Sequence, residues 1–109
     1  MVDIETFKQM AVSFDGAIEM PHFKKTSFRI NNKIFATLDM VNERACVKLN
    51  ETDQSVFCAI DKAIIYSVNN KWGKQGWTLI ELKTVRKTIL KDALSKSYLE
   101  ASTMKNAAK

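Results

Sequence analysis

The sequence is sparing with the residues that mark special chain classes. Its 109 residues hold three glycines, one proline, two cysteines and one histidine. So little Gly and Pro, beside 46% apolar and 27% charged residues, excludes a low-complexity or disordered chain. Cys46 and Cys58 form no CxxC pair. They exclude a disulfide scaffold and point to a reduced, cytoplasmic protein. With the single histidine, His22, they lack the close spacing of a zinc site, so no metal is expected.

Long apolar runs are missing too. Ala63-Ile64-Ile65-Tyr66 is far short of the ~20 residues that cross a bilayer. Met1-Val2-Asp3-Ile4-Glu5 lacks the basic-then-apolar layout of a signal peptide, so no membrane association is expected. The sequence contains no GxSxG, HExxH, Walker-type loop or dinucleotide GxGxxG. A Cys46–His22 pair is the one nucleophile arrangement left, and both cysteines read more simply as small apolar fillers. The chain therefore reads as non-enzymatic, with no catalytic residue and no cofactor.

What is present suits one domain, expected over residues 1–103, with a polar tail at 104–109 that frays. Asp3 is placed to cap a helix whose stripe is Ile4, Phe7, Ala11 and Phe14, ended by Asp15-Gly16. Residues 17–23 read as an extended segment that Pro21 confines to a sheet edge. Ser27–Ile30 and Lys33–Leu38 flank Asn31-Asn32, a pair suited to a two-residue hairpin turn. That register sets Ile30 against Lys33 and Phe28 against Phe35. Phe28, Ile30, Phe35 and Thr37 then share one face, and Ile34, Ala36 and Leu38 the other. Arg44–Leu49 alternates as a further strand, and Asn50 caps a second helix reaching about Ile60. Residues 63–68 read as a strand, 69–76 as a loop and 77–82 as a last strand. Thr84 caps a final helix with a buried arc of Val85, Ile89, Leu90, Ala93, Leu94 and Ala101. The predicted fold is α+β: a two-layer sandwich, an antiparallel sheet with helices packed on one face, in the order α-β(3-4)-α-β(2)-α.

Two features bear on function. Net charge is +5, yet it is unevenly spread: residues 24–50 carry a net +4 and residues 71–109 a net +6. The rest is net acidic. The stretch Lys71-Trp72-Gly73-Lys74-Gln75-Gly76-Trp77 sets two tryptophans around two lysines and two glycines. Its plain alternative is a pair of core tryptophans in a glycine-shaped turn. Its functional reading is a stacking ring beside phosphate-binding lysines. Lys83, Lys87 and Lys91 are evenly spaced near the last helix and read as a solvated face.

Several blocks together are familiar. Pro21-His22-Phe23, Ser27-Phe28-Arg29-Ile30, Lys33–Leu38, Asn70-Lys71-Trp72-Gly73 with Gly76-Trp77-Thr78, and Ser97-Tyr98 resemble, in order and spacing, the MmcQ/YjbR family. The resemblance implies a small domain with an antiparallel sheet, similar in architecture to secretion-chaperone-like and frataxin-like folds. It also implies DNA binding through paired hairpin "wings". Longer members carry a different sequence between the second helix and the Trp block, which leaves loop-specific roles outside the likeness. The expected function is a DNA-binding domain with weak, salt-dependent affinity. Arg29, Lys33, Lys48, Lys71 and Lys74 would meet phosphates, and Trp72 would add a sequence-tolerant contact. The alternative is a protein-interaction or homodimer module that uses the apolar second face of the sheet.

Overall fold

A capped helix opens the chain. In the computed structural model, which describes residues 2–22 and 24–107, the Asp3 carboxylate accepts the Thr6 amide at 2.7 Å. That backbone bond holds the Asp3 carboxyl below its usual range and starts α1, Ile4–Val12. Phe7 and Ala11 are its buried residues. The helix ends before Phe14, because the Ser13 amide and hydroxyl both turn back to the Met10 carbonyl. Gly16, with φ +79°, makes the reversal into β1, Ile18–His22. Phe23, part of the family-like signature, lies outside the described residues.

The hairpin is β2, Lys25–Ile30, and β3, Lys33–Asp39. Asn31 and Asn32 both take positive φ, 53° and 68°, as a twisted two-residue turn requires. Ile30 opposes Lys33 as expected, but Phe28 opposes Ala36 and not Phe35. The ladder shifts between Phe28 and Arg29, and one extra residue enters β3. This bulge corrects the expected facing. Phe35, Ala36 and Leu38 are all buried with Phe28, while Ile34 and Thr37 are only partly covered and line the opposite face.

The remaining strands are β4, Arg44–Lys48, β5, Ile65–Ser67, and β6, Trp77–Glu81. The six form one antiparallel sheet in the order β1-β2-β3-β4-β6-β5. Pro21 thus sits on an edge strand, where its missing N–H costs nothing. Between β4 and β5 runs α2, Glu51–Cys58, whose cap Asn50 accepts the Asp53 amide at 2.7 Å. Residues 69–76 are not an open loop: they hold a one-turn helix, α3, Lys71–Lys74. The last helix, α4, is Lys87–Ala107. It begins later than a Thr84 cap would give, because the Thr84 and Val85 amides both donate to the Glu81 carbonyl in a separate turn. α4 takes in residues 104–107 of the expected tail, and 108–109 lie outside the described residues.

α1 and α4 pack on one face of the sheet. Phe7, Leu90, Ala93 and Leu94 meet Phe28, Leu38, Val47 and Ile80 in a fully buried core, with Phe57 of α2 at its margin. The architecture is the expected α+β two-layer sandwich. Ser97 and Tyr98 of α4 lock the layers. The Ser97 hydroxyl donates to the Phe35 carbonyl and accepts the Lys48 amide at 3.1 Å, bridging β3 and β4 just beyond the Ala36–Val47 pair that ends their ladder. Tyr98 stacks on Phe14, centroids 4.9 Å apart, and donates its hydroxyl proton to the Asp15 carbonyl.

Candidate functional site

Side chains alternate along a strand, so burying one face fixes what the other presents. Phe28 and Ile30 of β2 enter the core, which sends Lys25, Ser27 and Arg29 to the opposite face, where Ser27 is itself buried and donates to the Met20 carbonyl at 2.9 Å. In β4 and β6 the same rule presents Arg44, Cys46 and Lys48 opposite Glu81, Leu79 and Trp77. Ile34 and Thr37 join them from β3. This second face carries one cavity, and a second adjoins it at the end of the sheet beside α4.

The larger is a groove of about 590 Å³. Ile34, Leu79, Trp72 and Trp77 give it apolar walls, and Lys25, Arg44, His22 and Asp39 give it polar ones. The smaller is a cup of about 350 Å³, where Arg29, Lys33 and Lys48 stand with one acid, Glu100. Ile34 and Trp77 line both cavities, so groove and cup are neighbours.

Trp72 comes from α3, and its position is closely determined. Asn70 accepts the Trp72 amide at 2.8 Å and starts the turn. A β-carbon on Gly73 would lie 1.9 Å from the Val68 carbonyl oxygen. One on Gly76, at φ +107°, would lie 1.9 Å from that of Leu49. The two glycines therefore let α3 sit directly against neighbouring backbone. Gln54 of α2 ties the segment down, its amide donating to the Gly73 carbonyl at 2.9 Å and to Thr78 Oγ1 at 3.1 Å. Held this way, Trp72 remains 49% exposed. Trp77 is half-buried. Neither is a core tryptophan, which corrects the plain reading of this stretch.

The acids of the face are engaged within the protein. Asp39 accepts the Asn42 side-chain amide at 2.8 Å and the Val41 and Asn42 backbone amides at 3.1 Å, and these bonds, the Asn42 side chain's first, lower its carboxyl pKa. Glu81 pairs with Arg44 Nε at 2.9 Å and accepts the Tyr66 hydroxyl. Burial and then that bond raise the Tyr66 pKa. Cys46 also faces the groove, and burial pushes its thiol up to about 11, so it is protonated at neutral pH and a poor nucleophile.

Of the six residues expected to carry function, the fold brings Arg29, Lys33 and Lys48 together in the cup and sets Trp72 in the adjoining groove. Lys71 lies over the Trp72 ring, its Nζ 5.7 Å from the centroid. Lys74 is exposed on α3 and lines neither cavity. Sequence reasoning missed Lys25 and Arg44 as neighbours of the others. They share strand parity with Arg29 and Lys48, a signal that was available; Ile34 lies on the face opposite Phe28, as expected. Lys83 pairs with Glu43 at 3.5 Å, as a residue of a solvated face does. Among the described residues, no group of three or more His, Cys, Asp or Glu side chains is placed to hold a metal ion. No helix there is long and apolar enough to cross a membrane.

The family model for YjbR matches residues 12–100 of the chain. Among solved structures, the crystal structure of the Deinococcus radiodurans protein DR2400, described by a DUF419 domain, is similar with a TM-score of 0.81. That likeness covers 94% of this chain and 80% of the other at 17% sequence identity. At such identity it speaks for the fold alone. No curated protein matches the chain.

Proposed function

The chain belongs to the YjbR family, and from that premise we propose that it is a non-enzymatic, cytoplasmic DNA-binding domain working through the second face of its sheet. The observation that carries the reading is the cup. Arg29, Lys33 and Lys48 come from three strands to line it beside Trp77, with one carboxylate among them, and the half-exposed Trp72 stands in the adjoining groove. Cations grouped this way replace the counterions of a phosphate backbone, while Trp72 adds a contact that needs no particular base. Lys71 extends the positive surface along α3. Both cysteines are free thiols, in keeping with a reducing compartment.

The test is an anisotropy titration of labelled single-stranded and duplex DNA at several salt concentrations. Non-specific affinity is expected at roughly 10⁻⁴ to 10⁻⁶ M, falling with log salt at about −0.7 to −0.9 per phosphate contact. With three cations in the cup the slope should lie near about −2 to −3. Lys33→Glu with Lys48→Glu should weaken binding at least about tenfold and flatten the slope. Unchanged affinity and slope in a folded double variant would remove the cup from the interface.

A second reading has its own observation. Ile18 and Met20 of β1 lie 50% and 39% exposed on the same face, which suits a protein-interaction or homodimer surface. It predicts mass that depends on protein concentration and not on DNA.

A further inference from the structure

Phosphate neutralisation needs the cup but not the groove. The groove has the size of a small-molecule site, about 300–1,000 Å³ in most proteins. Its composition is mixed in a specific way: tryptophan and aliphatic walls, with Lys25, Thr37 and Asp39 as donors and acceptors along them. A nucleobase has that pattern in negative, two flat apolar faces and an edge of donors and acceptors. The groove shares Ile34 and Trp77 with the tricationic cup beside it. Trp72 is also held ready. α3 is clamped by Gln54 and by two glycines in contact with backbone, so little ordering is left to be done when a ring docks on it.

We propose that groove and cup together form a site for one unpaired nucleotide, its base against Trp72 and Trp77 and its phosphate among Arg29, Lys33 and Lys48. The inference rests on the nucleic-acid reading for its ligand class and narrows it, since a base stacked inside a duplex has no face to offer. The same chemistry is available from a nucleotide within a single strand or from a free nucleoside monophosphate.

Four probes separate these cases: oligothymidylate, an abasic strand of equal length, a duplex of equal length, and thymidine monophosphate. The base-bearing single strand should bind roughly tenfold or more tightly than the abasic strand or the duplex. Trp72→Ala should reduce it to the abasic level, and Trp72→Phe should keep most of the advantage. Because the chain has two tryptophans, Trp72→Phe leaves Trp77 alone, and its fluorescence should be quenched by the base-bearing strand only. Equal binding of all three polymers would overturn the base site and leave the DNA reading standing. Quenching by the free nucleotide with no binding of any DNA would support the site and overturn the DNA reading. No binding of any probe would overturn both.

Discussion

Cys46 shows how one residue's surroundings decide between chemistries. It shares the groove with His22, the arrangement a nucleophile would need, yet burial pushes its thiol up to about 11. A raised pKa favours the neutral S–H, so the reactive thiolate is scarce below that value and increases about tenfold per pH unit towards it. Cys58 is also raised, by burial, but sits outside the groove. Alkylation followed by peptide mapping should therefore label Cys46 slowly at neutral pH and progressively faster on approach to pH 11. Rapid labelling of Cys46 at pH 7 would mean an activated thiolate and would reopen the nucleophile reading. At this scale the sequence is most readable where a residue acts on its own backbone. Asp3, Asn50 and the Asn31-Asn32 turn are local devices and stand where their chemistry predicts. Trp72 is different. A large ring is ordinarily worth burying, and only the backbone approach at Gly73 and Gly76 shows why this one stays out.

Among the elements, β3 carries the lesson. Its hydrophobic pattern has apolar residues at successive positions, and strict alternation divides them between two faces. The bulge resolves the conflict by placing Phe35 and Ala36 both in the core. Nothing local to β3 announces this, because the partner that makes the bulge tolerable lies 62 residues away. Ser97 of α4 takes the carbonyl of the bulged Phe35 and the Lys48 amide, two backbone groups just past the end of the β3–β4 ladder. Ser97→Ala removes a buried side chain that satisfies both. Its cost should be about 1–3 kcal/mol, the penalty for leaving buried polar groups unpaired. That should appear as a drop of several degrees in Tm. Ser102→Ala, one and a half turns on, loses only a local bond to the Leu99 carbonyl and should change stability by less than about 0.5 kcal/mol. Equal, small effects of the two substitutions would mean that Ser97 is not what holds the bulge. The same bulge leaves Ile34 beside Arg29 and turns Thr37 to the groove side with it, an irregularity that propensity and periodicity do not encode.

Over the whole molecule the question is whether the second face meets nucleic acid or another copy of itself. The sheet edges argue against growth by strand pairing: β1 carries Pro21, which lacks a donor, and β5 has three residues. Face-to-face apposition fares no better. It would bring Lys25, Arg29, Lys33 and Lys48 of one copy towards the same residues of the next, in a chain already at +5. The uneven charge visible in the sequence thus has a spatial meaning that segment sums alone could not give. Its hairpin part gathers at the open face and at the end of the sheet beside α4, while Lys83 forms a surface pair with Glu43. The charge also offsets the exposed Ile18 and Met20, which would otherwise invite association. Light scattering should therefore give the 12.4 kDa monomer over a wide range of protein concentration at low salt. Screening should matter in one direction only: if Ile18 and Met20 do drive pairing, raising the salt should promote it, and Ile18→Lys should abolish it. A concentration-dependent dimer already present at low salt, lost in Ile18→Lys while DNA affinity is unchanged, would assign the β1 side of this face to self-association. The cup, whose Arg29 is the cross-strand partner of Ile18, would then still have to be judged by its own charge-reversed variant.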